Sequence, residues 1–194
     1  MLRPLLVLAA LGLPVHHAAA FEDVAMGDWT VSQDIGGEIP VCEAATTKDG
    51  IPITLNLFAG VGNAVLHVSL TPDLVTRFDN DSARAEVSFI TDTMQAVGFD
   101  GPLVMEDHTR SFEAVFPNRT KVVAGLSPAS VISLKLTGDE GWHLIDVENV
   151  QGAQLSKALT DCIDDLETPE MREMALADIE KGGVPTQSDE KFAQ

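Results

Sequence analysis

The run Ile53-Thr54-Leu55-Asn56-Leu57, followed beyond Gly60-Val61-Gly62-Asn63 by Leu66-His67-Val68-Ser69-Leu70, decides the fold. Apolar and polar residues alternate strictly, so Ile53, Leu55 and Leu57 share one face of an extended segment. Leu66, Val68 and Leu70 do the same on the next, opposite His67 and Ser69. A helix would scatter these residues around its axis; a strand buried on one side gathers them. Outward from this pair the period persists. Trp29 and Val31 carry it in Gly27-Asp28-Trp29-Thr30-Val31-Ser32, Val87 and Phe89 beside Glu86 and Ser88, Phe112, Ala114 and Phe116 around Glu113, and Ile132, Leu134 and Leu136 around Ser133 and Lys135. Turn residues punctuate the runs at Asp49-Gly50, Asp79-Asn80-Asp81 and Gly138-Asp139-Glu140-Gly141, the last joining a strand ending near Leu136 to one starting near Trp142. Little room is left for helical crossovers, so antiparallel pairing is expected.

Helical spacing enters only late. Leu155, Leu159, Cys162 and Leu166 form one stripe, with Lys157, Asp161, Asp164 and Asp165 facing away. A second helix is signposted by Thr168 as N-cap, Pro169 at the first helical position and Glu170 at the positive end of the dipole. It ends at Lys181 and Gly182-Gly183. Its apolar stripe, Met171, Met174 or Ala175, and Ile179, is thin. Residues 119–126 read equally well as a turn or two of helix or as none. The fold class is therefore mainly β (α+β): an antiparallel β-sandwich-like domain with one or two C-terminal helices and one disulfide.

The N-terminus sets the compartment. Arg3 precedes an apolar run from Pro4 to Val15, and Ala18-Ala19-Ala20 supplies small residues for a signal peptidase. The run is too short for a bilayer anchor. The expected organisation is a signal peptide over 1–20, a single secreted β-rich domain over 21–183 and a flexible tail over 184–194, with the product periplasmic. In that oxidising compartment Cys42 and Cys162, the two cysteines of the chain, are expected to pair. Neither lies in a C-x-x-C, so the bond is read as a staple rather than a redox pair. Tying the helix to the strand around Val41-Cys42-Glu43, it is worth roughly 4–5 kcal/mol on the chain-entropy account.

Composition narrows function by exclusion. With 30 acidic against 12 basic residues and a net charge of −18, the chain repels nucleic acid and anionic membrane. The absence of Tyr argues against a carbohydrate groove or a base-stacking platform. No membrane insertion is expected once the signal is removed.

The order of the motifs resembles a known family. Gly27-Asp28-Trp29-Thr30-Val31, then Cys42, then Leu126-Ser127-Pro128-Ala129 through Leu136, a hairpin, and Leu155-Ser156-Lys157-Ala158-Leu159-Thr160-Asp161-Cys162 are similar to the invasion-associated locus B proteins, small periplasmic proteins of alphaproteobacteria. The resemblance implies a secreted sandwich-like domain with no assigned catalysis. Ser32 stands in the neighbourhood where members often carry a further cysteine, so a second disulfide is not expected.

No constellation demands a reaction. Ser127 lies outside a G-x-S-x-G elbow and reads as a cap. His67, His108 and His143 lack metal-ligand spacing. Glu106, Asp107 and His108, near Arg110, form the densest polar group, but adjacent strand residues face opposite ways. Asp79-Asn80-Asp81 lacks the loop of an EF-hand. Asn80-Asp81-Ser82 and Asn118-Arg119-Thr120 are glycosylation sequons by pattern only. No catalytic, cofactor or metal residue is therefore assigned. Trp29 and Trp142 read either as core or, if both are exposed, as a binding face. The leading expectation is a non-enzymatic domain that binds or supports an envelope protein. A small-ligand carrier or protease inhibitor comes next, then a hydrolase built on Glu106, Asp107 or His108.

Overall fold

Alternation becomes pairing in β4 (Ile51–Phe58) and β5 (Ala64–Ser69), which run antiparallel with Leu55 opposite Leu66 and Ile53 opposite Val68. The computed structural model describes residues 21–78, 82–92, 95–102 and 111–181. The expected signal peptide and tail, Asp79-Asn80-Asp81, Gly182-Gly183, and Glu106, Asp107, His108 and Arg110 lie outside them.

β4 and β5 sit inside a six-stranded sheet with β1 (Val24–Met26), β2 (Trp29–Asp34), β3 (Val41–Lys48) and β8 (Ser111–Phe116), in the order β1-β2-β3-β4-β5-β8. A second sheet has the order β10-β9-β6-β7, from β6 (Arg84–Ile90), β7 (Gln95–Pro102), β9 (Val131–Gly138) and β10 (Gly141–Glu148). All described pairs are antiparallel. The apolar faces of both sheets join one core, in which the Phe89 ring of one sheet stacks on Phe116 of the other at 6.2 Å.

Helical crossovers, which the strand-rich sequence left little room for, are present. Helix α1 (Pro72–Phe78) carries the chain from β5 to β6, and α2 (Arg119–Leu126) from β8 to β9, each passing from one sheet to the other. Hairpins join β1 through β5, β6 to β7 and β9 to β10, while β5 with β8 and β6 with β9 pair antiparallel across connections that pass through the other sheet. In α2, Asn118 caps the start by accepting from the Lys121 N–H at 2.9 Å, and Val122 and Leu126 go to the core. The Asn118-Arg119-Thr120 pattern thus begins a helix.

The rest of the core is closed by α3 (Gly152–Leu166), which lies on β2 and β3. Leu155, Leu159 and Cys162 are fully buried, and the Cys42–Cys162 disulfide joins helix to strand across a sequence separation of 120. Gly152 lets the start of α3 sit against the end of α2. A Cβ there would stand 2.1 Å from the Leu126 carbonyl. Helix α4 (Pro169–Glu180) begins at Thr168, whose hydroxyl accepts from the Met171 N–H at 3.3 Å. It docks on the β4–β5 turn through Ala175, which is buried. Gly62 is the seat, since a Cβ at that position would meet the Ala175 carbonyl at 2.7 Å.

Candidate functional site

The two tryptophans part company, and that separation locates the site. Trp29 on β2 is 1% exposed and belongs to the core, so the paired tryptophan surface does not form. Trp142 is 62% exposed. It follows the Asp139-Glu140 turn of the β9–β10 hairpin, in which Gly138 and Gly141 are paired. Strand alternation turns His143, Ile145 and Val147 toward the core, with Ile145 and Val147 buried. Trp142, Leu144, Asp146 and Glu148 take the other face. Leu144 is 42% exposed. Ile35, Ile39, Met174 and Leu176 are also exposed, singly on a loop or on α4. Trp142 and Leu144 differ in being one strand repeat apart on a rigid outer strand.

Helix α1 frames this surface. Arg77 donates through Nη2 to the carbonyls of Glu140 at 3.2 Å and Trp142 at 3.1 Å, and its guanidinium lies 5.1 Å from the Phe78 ring centre. Beside it is a depression of about 380 Å³, lined by Asp49, Ile51, Asp73, Arg77, His143 and Leu144 among others. Among the described residues no three His, Cys, Asp or Glu side chains are placed to hold a metal ion.

A second polar centre, which the spacing of residues did not announce, lies at the other end. Arg119 and Glu167 form a two-pronged ion pair, Nη1–Oε1 2.7 Å and Nη2–Oε2 2.8 Å, with side chains 10% and 1% exposed. Arg119 also donates to the Phe58 carbonyl at 3.0 Å, and Glu167 accepts from the Gly60 N–H at 2.9 Å. Arg172 approaches the same carboxylate and pairs with Asp164 at 3.0 Å. The pair knots the β4–β5 turn, α2 and the α3–α4 junction together. The crevice over it is about 220 Å³, below the roughly 300–1,000 Å³ of small-molecule sites. Its donors and acceptors already satisfy one another, which is how a buried charge pair is tolerated.

A third arrangement has the outline of a catalytic triad. His67 Nδ1 stands 3.5 Å from Glu113 Oε1, and its Nε2 stands 3.5 Å from Ser69 Oγ. Both distances exceed the 2.6–3.2 Å of a working nucleophile–base pair. β5 is paired on both sides, by β4 and β8, so its N–H groups are committed to the ladder and none is free to form an oxyanion hole. His67 and Glu113 are directly opposed across the two strands, and the geometry is that of an exposed cross-strand pair.

Ser127 is the C-cap of α2, its N–H reaching the Val123 carbonyl at 3.1 Å. No described helix is long and apolar enough to cross a membrane. Comparison of the chain with protein-family models, with curated proteins and with solved structures finds no match.

Proposed function

We propose that the chain is an exported, non-enzymatic domain of the cell envelope that binds another protein through the Trp142–Leu144 surface. One observation carries this reading: a tryptophan 62% exposed and a leucine 42% exposed stand on the same side of an outer strand. Tryptophan buries a large rigid area at low entropic cost and is enriched where protein interfaces concentrate their energy. The exposed Glu148 and the half-buried Asp146, whose Oδ1 is buried without a partner, lie at the polar edge of the patch. Export is supported by the leader-like residues 1–20 and by the cysteine pair, which an oxidising compartment favours. The resemblance to invasion-associated locus B proteins points to the same compartment. The reading assigns no reaction, in keeping with the ladder-bound N–H groups around His67.

Photo-cross-linking from position 142 of the full chain, expressed with its leader, tests the proposal. A discrete adduct with another envelope protein is expected, and none from position 29. Exported, oxidised protein that gives no adduct from 142 would overturn it.

A further inference from the structure

The Trp142–Leu144 face ends at an open sheet edge. β10 is the outermost strand of its sheet, bonded to β9 from Gly141 to Glu148 with no shift of register. Because the Trp142 carbonyl is taken by Arg77 of α1, it points away from β9. Backbone groups alternate sides along a strand, so Leu144, Asp146 and Glu148 also turn their N–H and C=O to that free side. Arg77 closes the edge at its beginning, and beyond it no described strand pairs with β10 on that side. Sheets usually protect an edge with a proline, a bulge or an added lysine. β10 has none of these; besides His143 on the core-facing side, its acidic or basic residues are Asp146 and Glu148, both acidic.

Those two carboxylates choose the occupant. A second copy of this chain would bring another net charge of −18 to the edge, and a register that pairs Asp146 with Asp146 or with Glu148 would also set like charges opposite each other. A strand bearing Lys or Arg meets them with opposite sign. Run antiparallel, it would place a cation opposite Asp146, an apolar residue two positions later opposite Leu144, and another two positions later over Trp142. Lys135, which faces outward on β9 opposite Leu144, lies one strand in from the edge. We propose that β10 takes an extended basic segment of a partner protein as an added antiparallel strand over Leu144–Glu148. This rests on the protein-binding reading of the same surface and adds the partner's conformation and charge.

The test titrates the full exported chain with a blocked ten-residue peptide in which every second residue reads lysine, lysine, valine, leucine in turn and the residues between are threonine, so that cations and apolar groups share one face. Trp142 fluorescence and amide exchange are followed together. Saturable binding is expected, with the amides of Leu144, Asp146 and Glu148 protected at least tenfold and a glutamate-for-lysine peptide binding at least tenfold more weakly. Leu144→Pro deletes an N–H that faces the open edge and should abolish binding. Asp146→Lys replaces a half-buried carboxylate, one oxygen of which is buried without a partner, by a cation on the same side, and should reverse the preference between the two peptides. Binding without amide protection, an unaltered preference in Asp146→Lys, or no saturable binding would each overturn strand addition. If the position-142 adduct still forms in cells, strand addition alone has failed. If it does not, the protein-binding reading has failed with it.

Discussion

The flank built on β2, β3 and α3 and the flank built on β9 and β10 begin from the same sequence pattern and finish differently. Each presents a tryptophan on an alternating strand, yet Trp29 is sealed and Trp142 stands in solvent. What differs is the cover. α3 lies across the inner face of β2 and β3 and is bonded there through Cys42 and Cys162. Nothing among the described residues lies over the outward face of Trp142 and Leu144, and α1 reaches only the first carbonyls of that strand through Arg77. Alternation specifies which residues share a face; the next layer of structure decides whether that face is core or surface.

The largest effect should come from cutting the covalent closure. Removing a bond that spans 120 residues should lower stability by roughly 4–5 kcal/mol. Cys42→Ser and Cys162→Ser should do so equally, as should reductant, read as a shift in urea midpoint. Identical midpoints for oxidised and reduced protein would break the comparison at its root. Next in size is the contrast between the tryptophans themselves. Trp29→Ala should cost about 3–5 kcal/mol, because a large cavity opens in the core. Trp29→Phe should cost less, since it keeps most of the ring and removes an indole N–H that has no acceptor. Trp142→Ala should change stability by no more than about 0.5 kcal/mol. Equal losses at the two positions would mean that the β10 face is covered after all.

Much of this architecture was readable from the residues. Six alternating runs marked the strands, and the i, i+4, i+7 stripe marked α3 and placed Cys162 against Cys42. Thr168-Pro169-Glu170 announced α4. Thr71-Pro72-Asp73 carries the same start signal for α1, but seven residues with only Leu74 and Phe78 buried are too few to show a period. The Arg119–Glu167 pair was not readable. It is assembled from residues 48 positions apart, and a single arginine and a single glutamate carry no spacing that betrays it. The fates of Trp29 and Trp142 were equally hidden, for the reason given above: burial by another layer is a tertiary fact.

That ion pair sharpens the contrast, because the closed flank continues into α4 through it. Glu167→Ala should cost about 3–5 kcal/mol by stranding Arg119 in a buried site and leaving the Gly60 N–H without its acceptor. The paired replacement Arg119→Met with Glu167→Leu should recover most of that loss, since two apolar groups of similar volume need no partner. A denaturation cycle over the four proteins reads both numbers. If the double variant is as unstable as Glu167→Ala, packing rather than charge holds α4 in place.

The smallest effect belongs to the first turn of α4, and pH exposes it. Hydrogen bonds from its own backbone N–H and from the Thr168 side chain hold the Glu170 carboxyl below the usual carboxylate range, although the residue is fully exposed. A carboxylate whose pKa falls on folding stabilises the fold when ionised. Its contribution is complete above the ordinary glutamate pKa of about 4.3 and disappears as pH drops through the lower folded value. Glu170→Gln should therefore quicken amide exchange in the first turn of α4 near neutrality. The difference from the parent should close in acid, once the parent's own carboxyl is protonated. A gap that widened in acid would mean that the side chain acts while neutral, and the charge–dipole account of this helix end would have the wrong sign.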